Sequence, residues 1–419
     1  MLLLHLFPAM ASIDISTPYP LFMSLPPSFP LPCNHYALIR KLHSHPFPLL
    51  QACHHDAKPT PNKETSPVIT KPHTAPGTTY NPPSSLASQQ PARPNTSIDY
   101  TLFTPHNVPM PPGQLNPRGW QRLTSTFPDQ AIISAIIGIC EFGVRIGYEG
   151  TRQPTTIHPN VVSAMIDPAQ VTSDIKNQRS KNRLQLFSET GSLPPDYIAL
   201  PVGLTDKADG SKRRIHDLSY AAAGSTSINS GIPESHGTIA YSSITDAVAA
   251  VQRWGKNCIL VKRDFESAFR HIPVSPLDSA LLGFHWQNLY YTELFLSLGL
   301  RTAPYLFNLF AEVFHWVLED QLQRLSRPVS VIHYLDDFFL VLPPRSQPEV
   351  YTGLFTSLCG EVGLCIKDSK SEEGSRASFA GIEVDTRLMV IRLPSNKLLK
   401  ARTIVQIVHA KRSLSLLDL

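Results

Sequence analysis

Two adjacent aspartates, Asp336 and Asp337, interrupt the segment Val329-Ser-Val-Ile-His-Tyr-Leu-Asp-Asp-Phe-Phe-Leu-Val-Leu342, which is otherwise apolar and rich in strand formers. Unpaired charges do not fit inside a buried strand, so the pair is expected in the turn of a hairpin. Neighbouring like charges repel unless a cation neutralises them, and hard carboxylate oxygens select Mg²⁺ or Mn²⁺. A third carboxylate, Asp264, follows the short apolar strand expected over Cys258–Lys262, after which Phe265-Glu-Ser-Ala-Phe269 turns to a helical pattern. If that strand pairs beside the hairpin, Asp264 and Asp336 can hold two metal ions roughly 3.5–4 Å apart, an arrangement suited to phosphoryl transfer. Taken singly, an Asp-Asp turn is most often only a solvated turn, and the conjunction in this order is what points to chemistry.

The elements that must position these carboxylates alternate between strand and helix beyond residue 197. Tyr197–Leu204 and Arg213–Leu218 flank Lys207-Ala-Asp-Gly210, whose Asp-Gly suits a hairpin turn. A helix is expected over Leu300–Asp320, and two strands over Val329–Leu342. Upstream, Trp120, Leu123, Phe127, Ile132, Ile133, Ile136, Ile137 and Phe142 recur at helical spacing and predict one buried helix. A second helix is expected over Asn160–Arg183, with Lys176, Arg179, Lys181 and Arg183 near its end; those cations suit either a solvated helix terminus or a phosphate contact. The fold class is therefore α+β, with no internal repeat.

Composition divides the chain. Of its 419 residues only 17% are charged, and 23 of the 39 prolines precede residue 121. Residues 1–112 are thus read as a disordered Pro/Ser/Thr-rich arm, and Cys53-His54-His55 within it lacks the second ligand pair of a zinc finger. The net charge of +4 is too small to argue for nucleic acid without local clusters. Six scattered cysteines without a CxxC pair argue against a zinc ribbon, a thioredoxin-type site and a dense disulfide frame. The opening Met-Leu-Leu-Leu-His-Leu-Phe-Pro8 lacks a basic region and the longest apolar run, Ala131–Cys140, is too short for a bilayer, so an intracellular protein of cytoplasm or nucleus is expected, neither secreted nor in a membrane.

At this point the motifs resemble those of a reverse transcriptase. Tyr334-Leu-Asp-Asp337 is similar to the YxDD box, and Asp264 with Phe269 to the first catalytic box. Leu298-Gly-Leu-Arg-Thr-Ala-Pro304-Tyr-Leu-Phe-Asn308 resembles the box that shapes the nucleotide pocket, and Lys207-Ala-Asp-Gly-Ser-Lys-Arg213-Arg-Ile-His-Asp217 the fingers element. Gly363-Leu-Cys-Ile-Lys-Asp-Ser-Lys370 and Phe379-Ala-Gly-Ile-Glu-Val-Asp385 resemble the last two palm boxes. Finer wording, including Arg214-Ile-His-Asp-Leu-Ser and Ser227-Ile-Asn-Ser-Gly-Ile-Pro233, looks like DIRS-type retrotransposons, which encode a tyrosine recombinase.

The resemblance implies a right-hand polymerase fold: a helical region at 113–190, fingers and palm at 191–395, and the start of a truncated thumb at 396–419. It implies an RNA-directed DNA polymerase that transfers a nucleotide from a dNTP to a primer 3′-hydroxyl on an RNA template or a DNA primer/template duplex. Asp264, Asp336 and Asp337, with the backbone carbonyl of Phe265, would hold two Mg²⁺ ions; Lys370 would protonate pyrophosphate. Lys207, Arg213, Phe269, Gly299, Arg301, Pro304 and Asn308 would form the nucleotide site, with Phe269 excluding a 2′-hydroxyl and Gly299 admitting close backbone approach. Tyr334, Lys397 and Lys400 would contact nucleic acid. Asp206 beside Lys207, where the family has an apolar pair, and Ser297 before the glycine box depart from the pattern, and the acidic neighbour is expected to weaken anion binding. The alternative is a truncated, catalytically inactive retroelement remnant that retains at most nucleic-acid binding.

Overall fold

A computed structural model describes residues 12–16, 100–103, 113–207, 210–237 and 239–410. The chain divides into two compact units, residues 1–19 with 96–398 and residues 20–95 with 399–419. In the second, the described residues are those from Leu399 onward in helix α8 (Ser395–Ala410). The first unit is an α+β assembly.

Its centre is an antiparallel sheet in the order β10 (Ser330–Tyr334), β11 (Asp337–Leu342), β7 (Ile259–Asp264), β12 (Glu372–Gly374). Successive side chains of a strand face opposite ways, and β11 uses both faces for packing. Phe338, Leu340 and Leu342 enter one core with Phe307, Phe310 and Phe314 of α6 (Ala303–Arg324) and Phe355 of α7 (Pro348–Val362). Phe339 and Val341 enter another with Val248 and Val251 of α5 (Ile244–Trp254) and with Phe379. A strand buried on both sides reads as the continuous apolar run Phe338–Leu342, and it makes the end of β11 a rigid platform.

A five-stranded sheet lies in the order β2 (Thr156–Ile157), β4 (Ile198–Ala199), β8 (Gly283–Trp286), β9 (Leu289–Glu293), β3 (Leu184–Phe187), and β5 (Val202–Asp206) pairs with β6 (Lys212–His216). The hairpin residues Ala208 and Asp209 lie outside the described residues. A further sheet runs β1 (Ile13–Asp14), β15 (Val390–Arg392), β14 (Ile382–Asp385), β13 (Arg376–Phe379).

Several expectations need correction. The helix expected from Trp120 to Phe142 is two, α1 (Pro117–Leu123) and α2 (Gln130–Phe142). Thr124 Oγ1 donates back to Trp120 O at 2.7 Å, and Asp129 starts afresh as an N-cap accepting from the Ala131 and Ile132 amides. The helix expected over Asn160–Arg183 likewise splits into α3 (Val162–Ile166) and α4 (Pro168–Ser180). Pro168 cannot continue a helix but suits a first turn, and Asp167 caps it through the Gln170 amide at 3.1 Å. The strand expected at Tyr197–Leu204 is broken between β4 and β5, where Pro201 lacks a donor. Most of the arm read as disorder lies outside the described residues, but Ile13 and Asp14 within it pair with Ile391 and Val390, and Ile15 is buried in the second core.

Candidate active site

Register brings the acidic residues together. In the antiparallel pair of β7 and β11, Asp264 stands directly opposite Asp337, as Lys262 stands opposite Phe339. Tyr334 and Asp337 close the β10–β11 hairpin, leaving Leu335 and Asp336 as its two-residue turn. Leu335 adopts φ 53°, a left-handed conformation that costs a branched side chain on the order of 1–3 kcal/mol and is held by the strands on either side. The Phe265 amide donates to the Asp336 carbonyl at 3.2 Å, tying the turn to the end of β7. The Phe265 ring is buried among Phe307, Phe314, Phe338 and Phe355, so the backbone at Asp264 is anchored from below. Ser267, two residues on, is also left-handed at φ 55° and opens the 3₁₀ turn Ala268–His271 that carries Phe269.

The carboxylates are deeply set. Asp264 is 2% exposed, and Lys370 Nζ donates to its Oδ2 at 2.7 Å. Asp337 Oδ1 is buried and accepts no hydrogen bond, with the Lys262 ammonium 3.5 Å away. Burial first, then the hydrogen-bonded Asp264 and the charges of Asp336 and Asp264, push the Asp337 carboxyl up to about 7 against the pull of Lys262. Burial and then Asp264 raise Asp336 as well. Burial works against the Lys370 ammonium, but Asp264, Asp336 and Asp337 together raise it.

Three carboxylates at one strand end, one with an orphaned buried oxygen, form a donor set that fits a hard divalent cation. Among the described residues no three His, Cys, Asp or Glu side chains are gathered in ligand geometry, and the Asp264 Oδ2 is bonded by Lys370. Lys262 was not singled out from the sequence, although its spacing of two from Asp264 along one strand places both on the same face.

The other expected residues are distributed as follows. Phe269 is half-buried, its ring centroid 6.1 Å from that of Phe307. Gly299 has φ +98°, and a Cβ there would meet the His216 carbonyl at 2.8 Å, so the position requires glycine. Arg301 is turned toward the chain itself, with Nη1 donating to Ile232 O at 2.8 Å. Pro304 lies in the first turn of α6, and Asn308 one turn on is half-buried, with Nδ2 3.5 Å from Glu312 Oε1. Lys207 and Arg213 are exposed on the β5–β6 hairpin and make no ion pair with the acidic group among the described residues. The neighbouring Asp206 is offset by Lys212, its cross-strand partner, at 3.7 Å. Tyr334 stacks on Tyr241 with centroids 4.6 Å apart. Lys397 donates to Gly381 O at 3.0 Å, and Lys400 is an exposed residue of α8.

A second charged group joins β9, β6 and the 3₁₀ turn Ala268–His271, and the sequence does not reveal it. Glu293, with no exposed surface, is bonded by Arg214 at 2.9 Å and by both terminal nitrogens of Arg270, while Arg214 also donates to Asp174 at 2.7 Å and lies over the Phe284 ring. Burial opposes ionisation of Glu293, but Arg270 and Arg214 hold it down to about 2.

Residues 210–384 match the family model for reverse transcriptase (RNA-dependent DNA polymerase). Among solved structures the chain is similar to a foamy viral protease-reverse transcriptase in complex with RNA/DNA hybrid, at 14% identity over 75% of this chain and 40% of that one, with a TM-score of 0.45. It is similar also to a foamy viral protease-reverse transcriptase in complex with dsDNA, at 15% identity over 74% and 60%, with a TM-score of 0.43. The chain thus spans less than two thirds of the length of either. No curated protein matches the chain. The family match supports a reverse transcriptase domain over residues 210–384, the stretch that contains Asp264, Asp336, Asp337 and Lys370.

Proposed function

We propose that this chain is an RNA-directed DNA polymerase of a retrotransposon, of the DIRS-like branch, in a right-hand fold, joining dNTPs to a primer 3′-hydroxyl. The observation that carries the reading is the cross-strand pairing of Asp264 with Asp337, next to the turn that holds Asp336. Asp264, Asp336, Asp337 and the Phe265 carbonyl would hold divalent ions such as Mg²⁺, which when bound favour the ionised 3′-hydroxyl and offset the charge on pyrophosphate. Lys370, bonded to Asp264 at 2.7 Å, would supply a cation and a proton to the leaving pyrophosphate. Phe269 limits the space beside the sugar and so favours a deoxyribose, Gly299 keeps the floor of the pocket free of a side chain, and Lys207 and Arg213 on the exposed hairpin grip the triphosphate. Tyr334 and Lys397 would contact the RNA template or its DNA product, and Lys400 is assigned the same role by sequence alone.

The test is primer extension on an RNA template with Mg²⁺ and dNTPs. Incorporation by the chain that is lost in Asp336→Asn and in Asp264→Asn supports the reading. No incorporation at any Mg²⁺ or Mn²⁺ concentration, with the RNA–primer duplex still bound, would identify the inactive remnant instead.

A further inference from the structure

Asn229 opens the 3₁₀ turn Asn229–Gly231, and its own place is fixed by its amide on Leu218 O at 3.0 Å and by Ser227 Oγ, which accepts from the Ser230 amide. The residue is 8% exposed, and its side chain spends both amide hydrogens, one on Ser219 Oγ at 2.8 Å and one on the Gly299 carbonyl at 2.7 Å. Its Oδ1 accepts from the Arg301 amide at 2.9 Å. The carboxamide therefore grips the peptide groups on both sides of Leu300, as a neighbouring strand would, and a primary amide is the side chain that presents donor and acceptor in that fixed relation. The loop it grips is the one where Gly299 lies against the His216 carbonyl. Beyond it Thr302 Oγ1 donates to Ile146 O at 3.0 Å, and α6 begins, carrying Phe307 to the ring of Phe269. An apolar side chain could fill the same space without fixing the direction of the Gly299 carbonyl.

We propose that Asn229 is a positioning residue for the nucleotide pocket: by holding the backbone of Gly299–Arg301 it sets the floor on which the incoming nucleotide rests. This rests on the polymerase reading above. The side chain touches no reacting atom and acts through the loop alone. In the intact chain, Asn229→Ala removes all three bonds, and Asn229→Asp keeps the acceptor for Arg301 but sets a carboxylate against the Gly299 carbonyl.

The experiment is steady-state primer extension with dNTP varied at saturating primer–template, alongside melting temperature and amide exchange. Both variants are expected to raise KM for dNTP about tenfold or more, within the roughly 100-fold that a 1 Å misplacement can cost, while the affinity for primer–template stays at the wild-type value. An unchanged KM for dNTP overturns the proposal, and so does a parallel loss of dNTP and primer–template affinity that follows a fall in melting temperature. Should the wild-type chain incorporate nothing, the polymerase reading falls, and exchange at the Arg301 amide decides the clamp. Exchange about tenfold faster in Asn229→Ala supports it, and unchanged exchange refutes it.

Discussion

Replacing Glu293 by Gln removes the shared carboxylate from a buried group of two arginines. Arg214 retains Asp174 at 2.7 Å, but among the described residues Arg270 has no other carboxylate within bonding distance. The folded protein holds Glu293 at about 2 rather than 4.5, which corresponds to about 3 kcal/mol of stabilisation at neutral pH. Removal of one partner from a buried pair independently gives about 3–5 kcal/mol, because the orphaned guanidinium stays desolvated. We therefore expect urea denaturation at pH 7 to show a loss of about 3 kcal/mol for Glu293→Gln. The double variant Glu293→Gln with Arg270→Met should be less destabilised than the sum of the two single ones, since it leaves no unpaired Arg270. The sign with pH follows from a depressed carboxyl: the contribution is complete above 4.5 and disappears as pH falls toward 2. A Glu293→Gln chain within about 1 kcal/mol of the wild type, or strict additivity in the double variant, would refute the argument that these charges depend on one another.

Burial holds the His216 and His271 rings neutral, each down to about 4 from an ordinary 6.5. The unfolded chain consequently takes up protons first, and stability should fall between pH 6.5 and 4 by roughly 3 kcal/mol per ring at the lower end, read from urea midpoints; a flat profile across that window contradicts it. Because Asp337 is pushed up to about 7, cation binding at the acidic group should displace a proton. Mn²⁺ affinity measured by electron paramagnetic resonance should then weaken about tenfold per pH unit below about 7 and level off above 8, and a pH-independent affinity would count against it. Phe269→Ala should raise ribonucleotide relative to deoxyribonucleotide incorporation by roughly 10- to 100-fold in single-nucleotide extension, and an unchanged ratio removes Phe269 from sugar selection.

The acidic hairpin was legible because a charge between apolar strand formers is costly anywhere but at a turn, and Tyr334–Asp337 obeys that rule. Which aspartate faces Asp264 was not legible. Both lie at the same bend, and only the register of β7 on β11 sets Asp337 opposite. Apolar spacing runs on through Pro168 and Asp129, whereas capping there divides each expected helix in two. The bonds of Asn229, a residue of the Ser227–Pro233 motif, and the role of Glu293 are illegible for a different reason. Their partners Gly299 and Arg214 are 70 and 79 residues away, and periodicity reports only on neighbours within a few turns.

The two-residue strand Ile13–Asp14 has a consequence for how this chain tolerates processing. It covers the outer rim of β15, with the Ile15 amide on Met389 O at 2.7 Å and Gln252 donating to Ile15 O at 3.2 Å. Any cleavage or alternative start that discards residues 12–16 would bare a row of unsatisfied peptide groups beside the hollow left by Ile15, a template on which a second molecule could add its own strand. Self-association after limited proteolysis that removes residues 12–16 is thus the failure to watch for in handling this protein.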